Sequence, residues 1–250
     1  MKSAIVWRIV IVVAMVTILE VLCLTGRIDK ITMQPPHRMV TDLASLLASG
    51  KFNAPIAKTL TNAAIALSMA LAGGIASAVV LYRARAVREV LDPLFATYYA
   101  IPVFAFYPLL IIVFGLGDLP QILIGYMLAV VAVIVNTLNG LDRVPRVLLK
   151  TARVNRMGTI ATARKITLPF AAPYILTGAK LAVAYALIGI IGAEFIMSRG
   201  GMGYEISFAY TNFDNATMYP LIILILVVSI SANSMLALWE RRILARRWRG

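Results

Sequence analysis

TLTNAAIALSMALAGGIASAVVLY, residues 59–82, runs for 24 positions without a charged side chain. A helix of about 20 residues crosses a hydrocarbon core about 30 Å thick, so this stretch is long enough to span a bilayer. Its apolar residues fall on every side, without the polar stripe of a surface helix. Backbone groups in lipid must be paired within the segment, which selects a helix; a barrel would need alternating segments of about ten residues.

Five further stretches read the same way. Residues 93–117, 119–141 and 215–239 hold no charge, Glu20 is the only one between Arg8 and Arg27, and only Lys180 and Glu194 interrupt 166–198. The chain is therefore expected to be an all-α membrane protein with about six transmembrane helices. Its composition agrees: 61% of the 250 residues are hydrophobic and 14% charged, against about 45–50% and about 25% in soluble domains. That balance argues against a soluble enzyme, a disordered tail, a collagen and a disulfide scaffold.

The formal net charge is +13. On a soluble chain this would suggest nucleic acid. Placing both termini in the cytoplasm instead puts 17 basic residues inside and six outside, with Lys180 within a span. That inequality is the positive-inside pattern and explains the charge without nucleic acid. The first apolar run has the length of a retained anchor, contains Glu20 and lacks a small-residue cleavage site, so it is read as a helix and not a signal peptide. The single Cys23 excludes an internal disulfide and is expected to be buried.

Between the first two spans, Pro35-Pro36 precedes an amphipathic stretch from Met39 to Leu47, expected to lie on the membrane surface as a lid on the bundle. His37 is the sole histidine. A metal site needs several ligands at set spacing, and none is evident. No Ser-His-Asp set and no GxxxxGK[ST] phosphate loop occur, so no catalytic residue is assigned.

The connection from Asp142 to Lys165 carries seven basic residues and one acid. It is longer than a turn requires. Orientation, attraction of anionic lipid heads, and docking of a cytoplasmic protein are all open readings, and its length favours docking. Residues 146–168 have room for two short helices ended by Pro169 and Pro173. Pro102 and Pro108 fall inside the third span, which is expected to kink or break there. Glu20, Lys180 and Glu194 are intramembrane charges and hence candidates for pathway roles, although Glu194 lies close enough to the outer end to reach water. Gly200, Gly201 and Gly203, followed by Tyr204, demand irregular backbone and read as an outer gate loop or an ordinary turn.

Several stretches carry a family resemblance: LDPLFATYYAIPVFAFYPLLIIVFGLGDLPQI at 91–122, NTLNGL at 136–141, ITLPFAAPYILTGAKLAVAYALIGIIGAEFI at 166–196, GGMGYEI at 200–206 and LWERR at 238–242. From the second span onward the chain resembles the membrane permease subunits of bacterial ABC importers of the nitrate/sulfonate/taurine type. Such permeases carry a cytoplasmic signature: Glu-Ala-Ala, three residues, Gly, nine residues, Ile or Val, one residue, Leu-Pro. Ile166, Leu168 and Pro169 fit its end. Counting back places Lys150, Thr151 and Ala152 at Glu-Ala-Ala and Arg156 at the glycine. Only Ala152 matches, and Gly158 is displaced by two.

The resemblance implies a type I ABC importer permease fold in the bacterial inner membrane. It divides the chain into an anchor helix with a periplasmic amphipathic segment (1–58), a permease core (59–240) with coupling loop 142–165, and a basic cytoplasmic tail (241–250). It implies coupling to ATPase subunits through Lys150, Ala152, Arg153, Arg156, Met157 and Gly158, and a pathway including Tyr98, Tyr99, Phe104, Tyr107 and Glu194. The implied partners are two ATPase subunits holding ATP and Mg, a second permease subunit (a heteromeric partner somewhat favoured over self), a periplasmic solute-binding protein and the lipid bilayer. No cofactor is expected on this chain. The solute would be small, anionic or aromatic and heterocyclic. A receptor or scaffold docking a signalling partner, and an ion channel, are the alternative functions; no repeated pore-loop filter is evident for the latter.

Overall fold

The computed structural model describes residues 2–29 and 32–247. Lys30, among the basic residues assigned to the outside, and residues 248–250 of the basic tail lie outside the described residues. Every regular element among the described residues is helical: α1 (Lys2–Leu24), α2 (Pro36–Ser49), α3 (Asn53–Arg83), α4 (Arg85–Thr97), α5 (Tyr107–Phe114), α6 (Asp118–Asp142), α7 (Arg146–Val154), α8 (Thr159–Thr162), α9 (Leu168–Met197), α10 (Met202–Thr211) and α11 (Asn215–Arg247).

Against the six spans expected, four helices among the described residues are long and apolar enough to cross a membrane, α3, α6, α9 (extended back to Thr159) and α11, with a fifth if the sharply bent pair α4–α5 counts as one span. The apolar part of α1, Ile9–Leu24, is shorter. The core lies where α3, α6 and α9 cross, built from Ala63, Ala66 and Ala70, then Ala129 and Val133, then Ala182, Ala186 and Ile190. Lipid gives no hydrophobic reward for helix association, so close packing must hold these helices, and small side chains allow it. A Cβ on Gly189 of α9 would lie 2.6 Å from Gly125 Cα of α6. That crossing needs glycine at 189, because the facing atoms are backbone.

The third span breaks where the prolines predict, and the two prolines divide the work. Ile101, before Pro102, is extended at φ −80° and ψ 124°, the conformation a following proline imposes. The helix stops there, and the two halves meet at 89°. Pro108 instead sits in the first turn of α5, where its missing N–H costs nothing.

Pro169 and Pro173 do not end a short helix. From Thr159 the chain continues through a π-turn (Ala163–Thr167) straight into α9. Pro169 falls in the first turn of α9, and Ala163 O accepts both the Leu168 N–H that closes the wide turn and the Thr167 hydroxyl, the latter at 3.2 Å. Pro173 lies inside the helix.

The amphipathic stretch forms α2, packed against α11. Met39 and Leu46 are buried, and Leu46 joins Phe52, Ile206 and Leu221 in a small outer core. The helix closes at Gly50, whose φ of 67° suits only a residue without Cβ strain. Glu20 is not a free intramembrane charge. Its carboxylate accepts from the His37 backbone N–H at 3.1 Å and pairs with the His37 ring, tying α1 to the start of α2. Cys23 is buried, as its residue type predicts.

Candidate functional site

Two constellations stand at opposite ends of the bundle. At the end rich in Lys and Arg, α7 is short and strongly amphipathic. Leu149 and Ala152, three residues apart, turn inward; Ala152 is 1% exposed. Val147, Lys150 and Val154 point out, and Val154 is 83% exposed. Beneath the helix Tyr82, Leu141, Leu149, Ala152 and Met157 line a cavity of about 300 Å³.

The end of α7 is fixed by backbone geometry. Met157 N donates to Ala152 O and Arg156 N to Arg153 O, both at 2.9 Å. This is the paired closure that ends many helices and places its middle residue in the left-handed region. That residue is Arg156, at φ 51°. Glycine is the usual occupant, and arginine there costs about 1–2 kcal/mol of backbone strain. Arg156 is also the position where the family signature has its glycine. The left-handed turn is thus kept without the glycine. Gly158, displaced in sequence, is extended at φ −62° and starts α8.

Lys150, Arg153 and Arg156 are exposed, while Ala152 is buried and Met157 half-buried. The six residues therefore divide. Ala152 and Met157 seat the loop on the bundle, and the three cations and Gly158 face outward, with Ile160 82% exposed just beyond.

At the opposite end, Glu194 of α9 is 0% exposed despite its place near the helix terminus. It does not reach water. Thr59 Oγ1 of α3 donates to its carboxylate at 2.7 Å, and Gly203 N donates to the same oxygen at 3.0 Å. Thr59 Oγ1 in turn accepts from Met202 N at 2.7 Å. Helix α10 has no side-chain cap of its own, and the first N–H groups of a helix need acceptors. Thr59 and Glu194 supply them from two other helices, and a carboxylate also suits the positive end of the α10 dipole.

The glycines make this closure possible. Gly201 has φ +104°, and a Cβ there would collide with the Glu194 carboxylate; one on Gly203 would strike Ile191 O. A Cβ on Gly200 would meet only the end of the Lys58 side chain, at 3.7 Å. Two of the three glycines are thus fixed by contact with α9. Tyr204 is half-buried and stacks on Phe208 at 6.2 Å between ring centres. Around this clasp, Lys58 pairs with Asp118 at 2.8 Å, Gln121 donates to Ser198 Oγ at 2.9 Å, and Asn62 reaches Gln121 at 3.4 Å. Thr59, Asn62 and Gln121 are buried polar residues that the linear reading passed over. Their signal was available: polar side chains near one end of each of two charge-free spans.

The aromatic residues divide as well. Tyr107 is 1% exposed and packs with Ile124 and Ala193. Phe104 is half-buried against α9, where a Cβ on Gly192 would lie 2.5 Å from its ring. Tyr98 is half-buried and donates to Met127 O at 2.9 Å. Tyr99 is 45% exposed and stacks on Tyr185 at 5.0 Å between ring centres. Of the five residues proposed for a pathway, the structure buries Tyr107 and Glu194 within the chain and leaves Tyr99 accessible.

Residues 43–245 match the family model described as the binding-protein-dependent transport system inner membrane component. The chain belongs to this family. It is 27% identical to the nitrate import permease protein NrtB of Leptolyngbya laminosa over 75% of this chain and 67% of that one. It is 28% identical to the putative aliphatic sulfonates transport permease protein SsuC of Bacillus subtilis over 90% of this chain and 80% of that one. Among solved structures, the MetNI methionine ABC transporter in an inward-facing conformation superposes with a TM-score of 0.65 at 16% identity, covering 77% of this chain and 95% of that chain. The protein is therefore an all-α permease subunit of an ABC importer in the inner membrane. Its relatives are transport permeases and lend no support to a signalling role.

Proposed function

We propose that this permease couples to separate ATPase subunits through α7 and the turn after it, and that its solute is a small anion or an aromatic or heterocyclic organic molecule. The observation that carries the coupling reading is the division of the loop: Ala152 is buried against the bundle while Lys150, Arg153 and Arg156 face outward beside exposed Val147 and Val154. A rigid, seated element with an unpartnered outer face can transmit a push, because packed helices shift between discrete arrangements and do not bend continuously. ATP and Mg would act on the ATPase subunits; this chain supplies no phosphate loop. Two ATPase subunits and a second permease subunit, with a different partner somewhat favoured over self, complete the transporter, and a periplasmic binding protein delivers the solute.

Binding of ATP would favour one arrangement of the loops and so shift access from one side to the other. The Glu194–Thr59–Gly203 clasp serves as the outer closure, holding the Gly200–Tyr204 loop against α9 and α3. Tyr99 and Tyr98 are the pathway residues, with Phe104, Tyr107 and Glu194 supporting them from within. The anionic class is supported by the nitrate and sulfonate permeases among the relatives.

The test of coupling is the double variant R153E/R156E in the assembled transporter. Uptake is expected to fall while ATP hydrolysis by the complex persists or loses its dependence on the binding protein; unchanged uptake removes the assignment. The test of solute class is a binding panel of inorganic anions, sulfonates and aromatic acids on the partner binding protein, read with uptake by wild type and Y99A. A cationic or sugar solute would refute the class.

A further inference from the structure

A second cavity, about 540 Å³, opens beside α7, and its charge is lopsided. Arg85, Arg88, Arg146, Lys150 and Arg153 line it with a single acid, Asp142. That acid is already engaged: Arg88 donates to it through two nitrogens, at 2.8 and 2.6 Å. Arg88 also lies 3.5 Å from Asp92. Glu89, the remaining acid of α4, is exposed and does not line the cavity. Arg85, Arg146, Lys150 and Arg153 make no ion pair among the described residues. Four cations thus converge on one space with their neutralising partner spent.

The backbone adds to this field. Arg85 is the first residue of α4 and Arg146 the first of α7, so two helices begin at the cavity. Neither start has a side-chain cap or an acid in its first turn. Free N–H groups and the positive ends of two helix dipoles therefore face the same region as the four cations. The C-terminal ends of α3 and α6 lie nearby and oppose an anion, but Arg83 and Arg143 sit at those ends. The cavity has ample room for a phosphate group, and it lies at the end of the spans that the positive-inside pattern assigns to the cytoplasm.

We propose that this cleft between α4, the end of α6 and α7 is a binding site for a phosphate-bearing anion, held by Arg85 and Arg146 with Lys150 and Arg153. The chemistry is shared by an anionic phospholipid head group and by free phosphate. Because the site touches α7, its occupant would set the stance of that helix. The site shares Lys150 and Arg153 with the coupling reading, so the test below varies Arg85 and Arg146, which lie outside the coupling residues, and its failure is distinct from a failure of coupling.

The test uses the assembled transporter in nanodiscs of phosphatidylcholine alone, of phosphatidylcholine with phosphatidylglycerol, and of phosphatidylcholine with added inorganic phosphate. Lipid retention is read by native mass spectrometry, and phosphate binding by protection from heat. At about 1 kcal/mol per basic residue near a charged surface, R85Q/R146Q should weaken binding about thirtyfold. Phosphatidylglycerol held by wild type and lost in the variant assigns the site to lipid. Phosphate protection of wild type but not the variant, without lipid retention, assigns it to a soluble anion. R85K/R146K, which keeps the charges, should retain binding in either case. If neither phosphatidylglycerol nor phosphate distinguishes wild type from R85Q/R146Q, the site does not exist. Should the double variant fail to assemble, R146Q alone gives the same comparison with about a fivefold expected loss.

Discussion

The outer clasp predicts a specific energetic coupling between Thr59 and Glu194, residues on different helices and 135 positions apart. Thr59→Val removes the hydroxyl while keeping the side-chain shape, and Glu194→Leu fills much of the same space but removes the acceptor altogether. In the native arrangement that carboxylate receives two donors, the Thr59 hydroxyl at 2.7 Å and the Gly203 N–H at 3.0 Å. Thr59→Val also strips the Met202 N–H of its acceptor. Leaving one buried donor unsatisfied costs about 1–3 kcal/mol, so each single variant should lose about that much. The double variant should lose much less than the sum, because one absent bond cannot be broken twice. Inter-helix hydrogen bonds measured by such cycles in a membrane average about 0.6 kcal/mol with a maximum of about 1.7. A coupling near that upper figure is expected here, because the acceptor is wholly enclosed and serves two donors. Reversible unfolding in mixed micelles gives the four free energies. Additivity within about 0.3 kcal/mol would show that the clasp is not an energetic unit and would refute the reasoning.

Further outcomes follow from the same geometry. Gly201→Ala should cost more than Gly200→Ala by at least about 2 kcal/mol, since only Gly201 combines positive φ with a collision against Glu194; equal losses in a thermal stability assay would contradict this. At the end of α7, Arg156→Gly should preserve assembly with the ATPase and leave stability within about 1 kcal/mol of wild type, whereas Arg156→Val should destabilise by about 1–2 kcal/mol, because a β-branched residue resists left-handed backbone. Similar co-purification and stability for the two variants would remove the turn argument. Gly189→Leu should separate α6 from α9 and abolish assembly of the folded chain, as a Cβ alone would approach Gly125 Cα to 2.6 Å; normal yield and uptake would show that the crossing tolerates spreading.

Much of the architecture was legible from charge gaps, because a span must be long and uncharged wherever it lies. The break at Pro102 was legible too, since proline acts on its own neighbours. The fate of Pro169 was not. A proline reads as a stop signal locally, and only the π-turn before it shows how the helix absorbs the missing donor. Glu194 was conspicuous as an intramembrane charge, but its use was not visible. Nothing in the linear order says that Thr59 lies against it. Likewise, Arg156 and Gly158 can be aligned with a family pattern, yet only the φ of 51° tells which of them holds the turn that the glycine would have made.

The sequence by itself determined that this is a helical membrane protein and that its basic residues concentrate in one long connection between spans. Those properties depend on hydration, and each residue carries its own cost of leaving water. The tertiary structure decided which polar groups are spent on each other and which remain available. It showed Glu20 and Glu194 to be fasteners of helix starts, and it brought Arg85 of α4 beside three cations of α7 around one cleft. Pairing of buried polar groups depends on distances of about 3 Å between segments far apart in the chain, and no local pattern encodes such distances.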